Sequence, residues 1–237
     1  AIEDGLAAQG IHTDFIHLPE GNSRINVKVK HGDETEINGQ GPVITQEALD
    51  ELFAKLDTLT KEDILVLAGS IPNTLPEDIY EKILARLEVK GIRVVVDATK
   101  DLLLNVLKYH PFLIKPNNHE LGEMFGTVCK TDEDIVHYAK KLQEMGAVNV
   151  LISMAGDGAI LITEDGQNIK MGTPKGKVVN SVGAGDSMVA GFITGYLRGG
   201  NYEEALKSGT AAGSATAFSE GLASLEMYEK MLKQISE

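Results

Sequence analysis

Asp186 stands in the first turn of an apolar run, Met188 to Leu197, directly behind Gly183-Ala184-Gly185. The run reads as a helix, and the apolar pair Val178-Val179 ahead of the turn reads as the end of a strand. Glycines at 183 and 185 let the backbone turn sharply and point successive N–H groups outward. Those orphan donors, at the positive end of a helix dipole, make an anion site. A carboxylate beside such a site could take a proton from a hydroxyl that attacks the bound anion, a pairing suited to phosphate chemistry. The same residues also read as an ordinary helix start, with Asp186 as a charge partner of the dipole worth a few tenths to about 1 kcal/mol.

Lys115-Pro116-Asn117-Asn118-His119-Glu120-Leu121 is the second string with chemical content. Pro116 keeps the chain extended. Asn117 and Glu120 are three apart where a helix would begin, so they can face one locus. An amide and a carboxylate there could organise water around Mg²⁺, which takes few direct protein ligands; the pair could equally be a helix cap. Ser153-Met154-Ala155-Gly156-Asp157-Gly158 reads either as a ligand-contacting turn or as a plain flexible one. Arg24, one of four arginines, shares the polar side of an alternating segment with Asn26. A guanidinium suits a sugar phosphate, and a solvated strand face would explain it as well. The six histidines form no metal pattern, and no Ser-His-Asp spacing occurs. Neither a Walker A string nor a complete G-x-G-x-x-G is present.

These residues must be held by regular elements. A helix closing at Gly10, a strand at Thr13–Leu18 and a turn at 19–22 come first. Arg24–Lys30 alternates strictly and, through a tight turn at His31-Gly32-Asp33, pairs with Glu34–Asn38 as a two-stranded ribbon. From Thr45, a helix cap, amphipathic helices alternate with short apolar strands at 64–67, 94–96, 112–114 and 150–152. That alternation means a parallel sheet covered on both faces. Ala159–Thr163 and Ile169–Met171 add a hairpin, and three helices follow: Gly185–Leu197, Tyr202–Phe218 and Leu225–Ile235. Ligands of such sheets bind beyond the carboxyl ends of the strands. Ala68-Gly69-Ser70, Asp97, Lys115–Glu120, Ser153–Gly158 and Val182–Asp186 all fall there.

The 237 residues carry a net charge of −13, which argues against a general binder of nucleic acid or membrane surfaces. No apolar run approaches the roughly 20 residues of a bilayer span, and Ala1–Leu6 has the pattern of neither a signal peptide nor a basic transit segment. The single cysteine, Cys129, excludes an internal disulfide and reads as a small apolar filler; a cytoplasmic, reducing compartment is expected.

Asn180 to Ile193 closely resembles the C-terminal signature of the ribokinase-like sugar kinases, in the phosphofructokinase B branch. Lys115-Pro116-Asn117 with Glu120-Leu121 resembles a second segment of that family, and Arg24–Lys28 resembles a strand of its β-ribbon lid. The resemblance implies a three-layer α/β/α fold with a mainly parallel sheet plus that ribbon. It implies Asp186 as catalytic base and the amides of Gly183, Ala184 and Gly185 as the hole for the transferring phosphoryl group. ATP would lie near Lys115, Asn117, Ser153, Ala155, Gly156 and Gly158, with Mg²⁺ organised by Glu120 and Asn117 through water. Arg24, Asn26 and Asn38 would hold the sugar phosphate. The turn Asn38–Pro42 resembles that of kinases which phosphorylate D-fructose 1-phosphate at O6; kinases of tagatose 6-phosphate usually differ there. Other phosphosugar kinases, and a non-catalytic nucleotide-binding sensor, are the alternatives.

Two departures from the family pattern stand out. Ala155 occupies a position where many relatives have glycine, and Asp97-Ala98-Thr99-Lys100 replaces Asp-Thr-Ser-Gly, placing Lys100 near the pocket or in solvent. The expectation is one kinase domain over 1–237, with a lid ribbon at about 13–40 and the main body at about 45–237. It is expected to start inside the domain, without roughly a quarter of the fold that carries sugar-hydroxyl contacts. The ribbon's apolar face, Ile25, Val27 and Val29, is expected to pair with a second subunit.

Overall fold

The computed structural model describes residues 1–31 and 33–235, with only the backbone at 28, 30, 31, 33, 34 and 36. The chain falls into two compact units, one of Ala1–Glu62 with Ile71–Gly91, the other of Asp63–Ser70 with Ile92 onward.

The first unit holds α1 (Ile2–Ala7), the ribbon strands β1 (Asn26–His31) and β2 (Asp33–Asn38), α2 (Gln46–Asp57) and α3 (Ile79–Leu87). β1 and β2 pair antiparallel, with Asn26 opposite Asn38 and Val27 opposite Ile37. The turn expected at 31–33 includes Gly32, which lies outside the described residues. Thr45 caps α2 by accepting from the Ala48 amide, as expected. Residues 13–18 are not a strand. Alternating apolar residues make a strand only where a second backbone offers a ladder, and this segment is held by side chains instead: Thr13 donates to Glu3, His17 pairs with Glu3, and Asp14 pairs with Lys55 of α2.

The second unit is built on a six-stranded sheet of β3 (Ile64–Ala68), β4 (Arg93–Asp97), β5 (Leu113–Ile114), β6 (Asn149–Ser153), β7 (Ala159–Ile162) and β8 (Asn168–Met171), in that spatial order. β3 to β6 run parallel; β7 and β8 join antiparallel as the expected hairpin. Side chains alternate across the sheet. Val95, Leu113, Leu151 and Leu161 pack in one cluster with Met188, Val189 and Phe192 of α7 (Ala184–Gly199) and Leu206 of α8 (Tyr202–Ala217). α6 (Asp132–Glu144), which buries Ile135, Ala139 and Leu142, lies against β6 and β7, and α5 (Asn118–Met124) against β6. α4 (Lys100–Val106) follows β4, and α9 (Leu225–Ile235) packs on α8 through Met231. β3 is less buried than its apolar sequence predicts: it is an edge strand, with Val66 41% exposed.

Val178 and Val179 correct the sequence reading. They form no strand and are 64% and 51% exposed. The amides of Val179 and Asn180 both donate to the carbonyl of Ala217 at the end of α8, at 2.8 and 3.1 Å. This ties the loop before α7 to a helix end, not to the sheet. Among the described residues, no helix is long and apolar enough to cross a membrane.

Candidate active site

α7 begins on Gly183, whose φ of +79° is in the left-handed region. A side chain there would strain the backbone, so glycine sets the turn that starts the helix. The Ala184 amide donates to Ser181 O at 3.2 Å. This qualifies the expected hole of 183–185: the amides of Gly183, Gly185 and Asp186 are the ones with no acceptor among the described residues. Asp186 is the third residue of the helix and exposed. A carboxylate at this position is favoured by the dipole and stands beside the donors that would hold an anion.

Lys115 converges on the same turn. It leaves the end of β5 and is only 7% exposed. Its ammonium lies 3.3 Å from Asp97 Oδ1, at the end of β4. It also lies 3.1 Å from the point a Cβ on Gly185 would occupy, so the missing side chain at 185 lets the ammonium rest against the helix start. Burial pushes the Asp97 carboxyl up, the Lys115 ammonium pulls it back down, and the Asp186 charge raises it further. The Asp97–Lys115 pair was not foreseen from the sequence. The sequence offered only that each residue directly follows a short apolar strand; the register of Val96 with Ile114, which makes the two neighbours, is seen in the structure.

Asn117 and Glu120 form a capping box at the start of α5. Asn117 Oδ1 accepts from the amides of His119 and Glu120, both at 2.9 Å, and Glu120 Oε2 accepts from the Asn117 amide at 2.8 Å. The expected metal pair is therefore engaged in capping. Glu120 Oε1 has no hydrogen-bond partner among the described residues, and one fixed carboxylate oxygen fits Mg²⁺, which keeps most of its ligands as water. Among the described residues, no group of three or more His, Cys, Asp or Glu could hold a metal directly.

The Ser153 turn adjoins this cap. Asn117 and Ser153 form a parallel bridge, and the Ser153 amide donates to Pro116 O at 3.2 Å. Hydrogen bonds brace the turn. Met154 N donates to Gly158 O at 2.8 Å, and Thr173 Oγ1 donates to Gly156 O at 2.8 Å. A Cβ on Gly158 would stand 1.9 Å from Met171 O, which requires glycine. Ala155 has φ +48°, which accounts for glycine being common at this position in the family it resembles. Lys100 likewise has φ +53°; its side chain is exposed and lies 3.6 Å from Glu123.

The remaining expected site residues belong to the first unit. Arg24, Asn26 and Asn38 are exposed at one end of the ribbon, where Gly39 N donates to Ile25 O at 3.1 Å and Arg24 Cβ lies against Gly41. A polar cleft of about 470 Å³ in the second unit, lined by Asp165, Gln167, Asn201, Tyr202 and Glu203, is a separate feature. It lies at the far end of α7, about 24 Å from Gly183 by helix rise, and its lining has no cation for a phosphate.

The chain matches the model of the pfkB family of carbohydrate kinases over residues 1–227. It is 49% identical over 234 residues to 1-phosphofructokinase of Bacillus subtilis, covering 99% of this chain and 77% of that one. It is 37% identical over 235 residues to D-tagatose-1-phosphate kinase of Bacillus licheniformis, covering 99% and 77%. Among solved structures, a Staphylococcus aureus protein aligns at 44% identity with a TM-score of 0.88, over 98% of this chain and 75% of that one. Arabidopsis thaliana ribokinase, solved with ribose and ATP, aligns with a TM-score of 0.78 at 23% identity, over 98% and 77%, a likeness of fold alone. The expected ribokinase-like fold class is thereby established.

Proposed function

The chain belongs to the pfkB family of carbohydrate kinases, and from that premise we propose that it transfers the γ-phosphoryl group of ATP to O6 of D-fructose 1-phosphate, giving fructose 1,6-bisphosphate and ADP. The observation that carries the choice of substrate is the 49% identity to the B. subtilis enzyme along nearly the whole chain. In this reading the Asp186 carboxylate takes the O6 proton as O6 bonds to phosphorus and the bond from phosphorus to the ADP oxygen breaks. Phosphoryl transfer asks little covalent work of the protein, so positioning and charge stabilisation dominate. The amides at the start of α7 and the Lys115 ammonium meet the charge on the transferring group. Mg²⁺, when bound, would neutralise phosphate charge, with Glu120 and Asn117 holding it through water. Ser153, Ala155, Gly156 and Gly158 contribute to the nucleotide side. Arg24, Asn26 and Asn38 hold the sugar phosphate, with the ribbon as lid.

A second reading, phosphorylation of a tagatose phosphate, is favoured by one observation, the 37% identity to a D-tagatose-1-phosphate kinase. An ADP-release assay over fructose 1-phosphate, fructose 6-phosphate, tagatose 1-phosphate and tagatose 6-phosphate separates them. The highest kcat/KM is expected with fructose 1-phosphate, and a tagatose phosphate in first place overturns the assignment. ATP binding with turnover of none would favour a sensor. The reading includes a homodimer, because Ile25, Val27, Val29 and Ile37 are exposed on a two-stranded ribbon, a form barely stable alone. It also includes a cytoplasmic location, in keeping with the buried free thiol of Cys129.

A further inference from the structure

We propose that Asp97 is a positioning residue for phosphoryl transfer, acting through Lys115 by aiming its ammonium at the phosphoryl group held by the first turn of α7. The inference rests on the kinase reading above and deepens it. β4 and β5 end side by side, so Asp97 and Lys115 leave the sheet as neighbours. Their side chains are 19% and 8% exposed, and Nζ lies 3.3 Å from Oδ1. The same Nζ is 3.1 Å from the point where a Cβ on Gly185 would stand. The ammonium is thus held between a carboxylate and the start of a helix.

That placement is unfavourable without a negative partner. A buried ammonium must be paired, and the positive end of α7 repels it. Asp97 is its ion-pair partner in the second unit. One ammonium hydrogen directed at Asp97 leaves two for oxygen acceptors. Lysine is a point charge on a flexible stem, with no direction of its own; the carboxylate supplies the direction. Asp186 is arranged differently. It is exposed, on the helix itself, and Asp97 senses it by charge.

The test is a double-mutant cycle of Asp97→Asn and Lys115→Met, read on turnover and, separately, on ATP affinity by titration calorimetry. Wild-type ADP release with fructose 1-phosphate checks the kinase reading in the same assay. Asp97→Asn is expected to lower kcat at least tenfold while KM for ATP and for the sugar stays within about threefold, because the lost contact matters most in the transition state. The double variant is expected to turn over as Lys115→Met does alone. Wild-type kcat in Asp97→Asn, or losses that simply add, overturns the proposal. A merely structural pair would lower the melting temperature and leave kcat per folded molecule intact. Should Asp97→Asn fail to fold, the double variant, which removes both charges, is compared with Lys115→Met: equal kcat supports the proposal and a further drop overturns it. Should wild type turn over no sugar phosphate, the kinase reading fails and the proposal falls with it; with an active wild type, failure of the proposal is read on Asp97→Asn alone.

Discussion

Asp186 and Arg24 sit in different units, and their substitutions are expected to fail in different ways. Asp186→Asn keeps the size and polarity of the side chain and removes its ability to take a proton. General-base catalysis is worth roughly 10² to 10⁴ in rate, so kcat should fall by about that factor. The ATP dissociation constant should stay within about threefold, as judged by calorimetry beside stopped-time ADP release. Near-normal turnover would remove Asp186 from the role of base. Arg24→Ala should instead raise the KM for the sugar phosphate about tenfold or more, the loss of a charge-assisted pair, with the KM for ATP unchanged. A raised ATP KM with an unchanged sugar KM would move Arg24 to the nucleotide. At this scale the sequence was most legible where chemistry and chain proximity coincide: Gly183 to Asp186 are contiguous, and their turn is local. It was least legible for Asp97 and Lys115, 18 positions apart, whose meeting depends on the register of two strands.

At the level of elements, α7 carries the candidate site on its first turn, and what fixes α7 is its approach to α8. A Cβ on Gly191 would lie 2.6 Å from Ser208 O and 2.7 Å from Ala212 Cβ; one on Gly195 would lie 2.8 Å from Glu204 O. From the other side, a Cβ on Gly213 would lie 3.1 Å from Ala184 O, at the very start of α7. The two helices therefore meet backbone to backbone, and overpacking there costs roughly 1–3 kcal/mol. Gly191→Ala should lower the melting temperature by several degrees. Gly199→Ala, on the same helix with nothing within 4 Å, should be neutral or slightly stabilising. Equal effects in thermal melts would mean that helix propensity, not close packing, governs both positions. The glycines were visible in the sequence, but a helical glycine does not say what lies opposite. Caps were readable because they are local: Thr45 and Asn117 each bond within three residues. The strands expected at 13–18 and 178–179 were not, because apolar alternation is silent on whether a second backbone is at hand.

For the whole molecule, charge decides how stability follows pH. Asp14, Asp57, Asp134, Asp165 and Glu47 are all held below the usual carboxylate values of 3.8 and 4.5. The causes are Lys55 for Asp14, Arg86 for Asp57, backbone amides of 130 and 131 for Asp134, the Thr163 hydroxyl for Asp165 and its own amide for Glu47. A carboxyl depressed in the folded state gives stability that is present above its unfolded value and is lost as pH falls through the folded one. Asp97 runs the other way. Its carboxyl is raised, chiefly by burial, so its contribution is full below 3.8 and is lost as pH rises through the folded value. Net charge adds to the Asp97 trend: −13 at pH 7 falls toward zero near a pI of 4.9, relieving self-repulsion on mild acidification. Below about 4.5 the five depressed carboxyls outnumber Asp97, and their loss dominates. The melting temperature should therefore rise modestly from pH 8 toward about pH 5 and drop between about pH 4.5 and 3. Added salt should raise it at pH 8, where repulsion is greatest, and have less effect near pH 5. Thermal melts across that range at fixed ionic strength test both limbs. A melting temperature that keeps climbing to pH 3.5 would mean that repulsion outweighs every paired carboxylate, and a salt effect as large at pH 5 as at pH 8 would mean that net charge is not the cause.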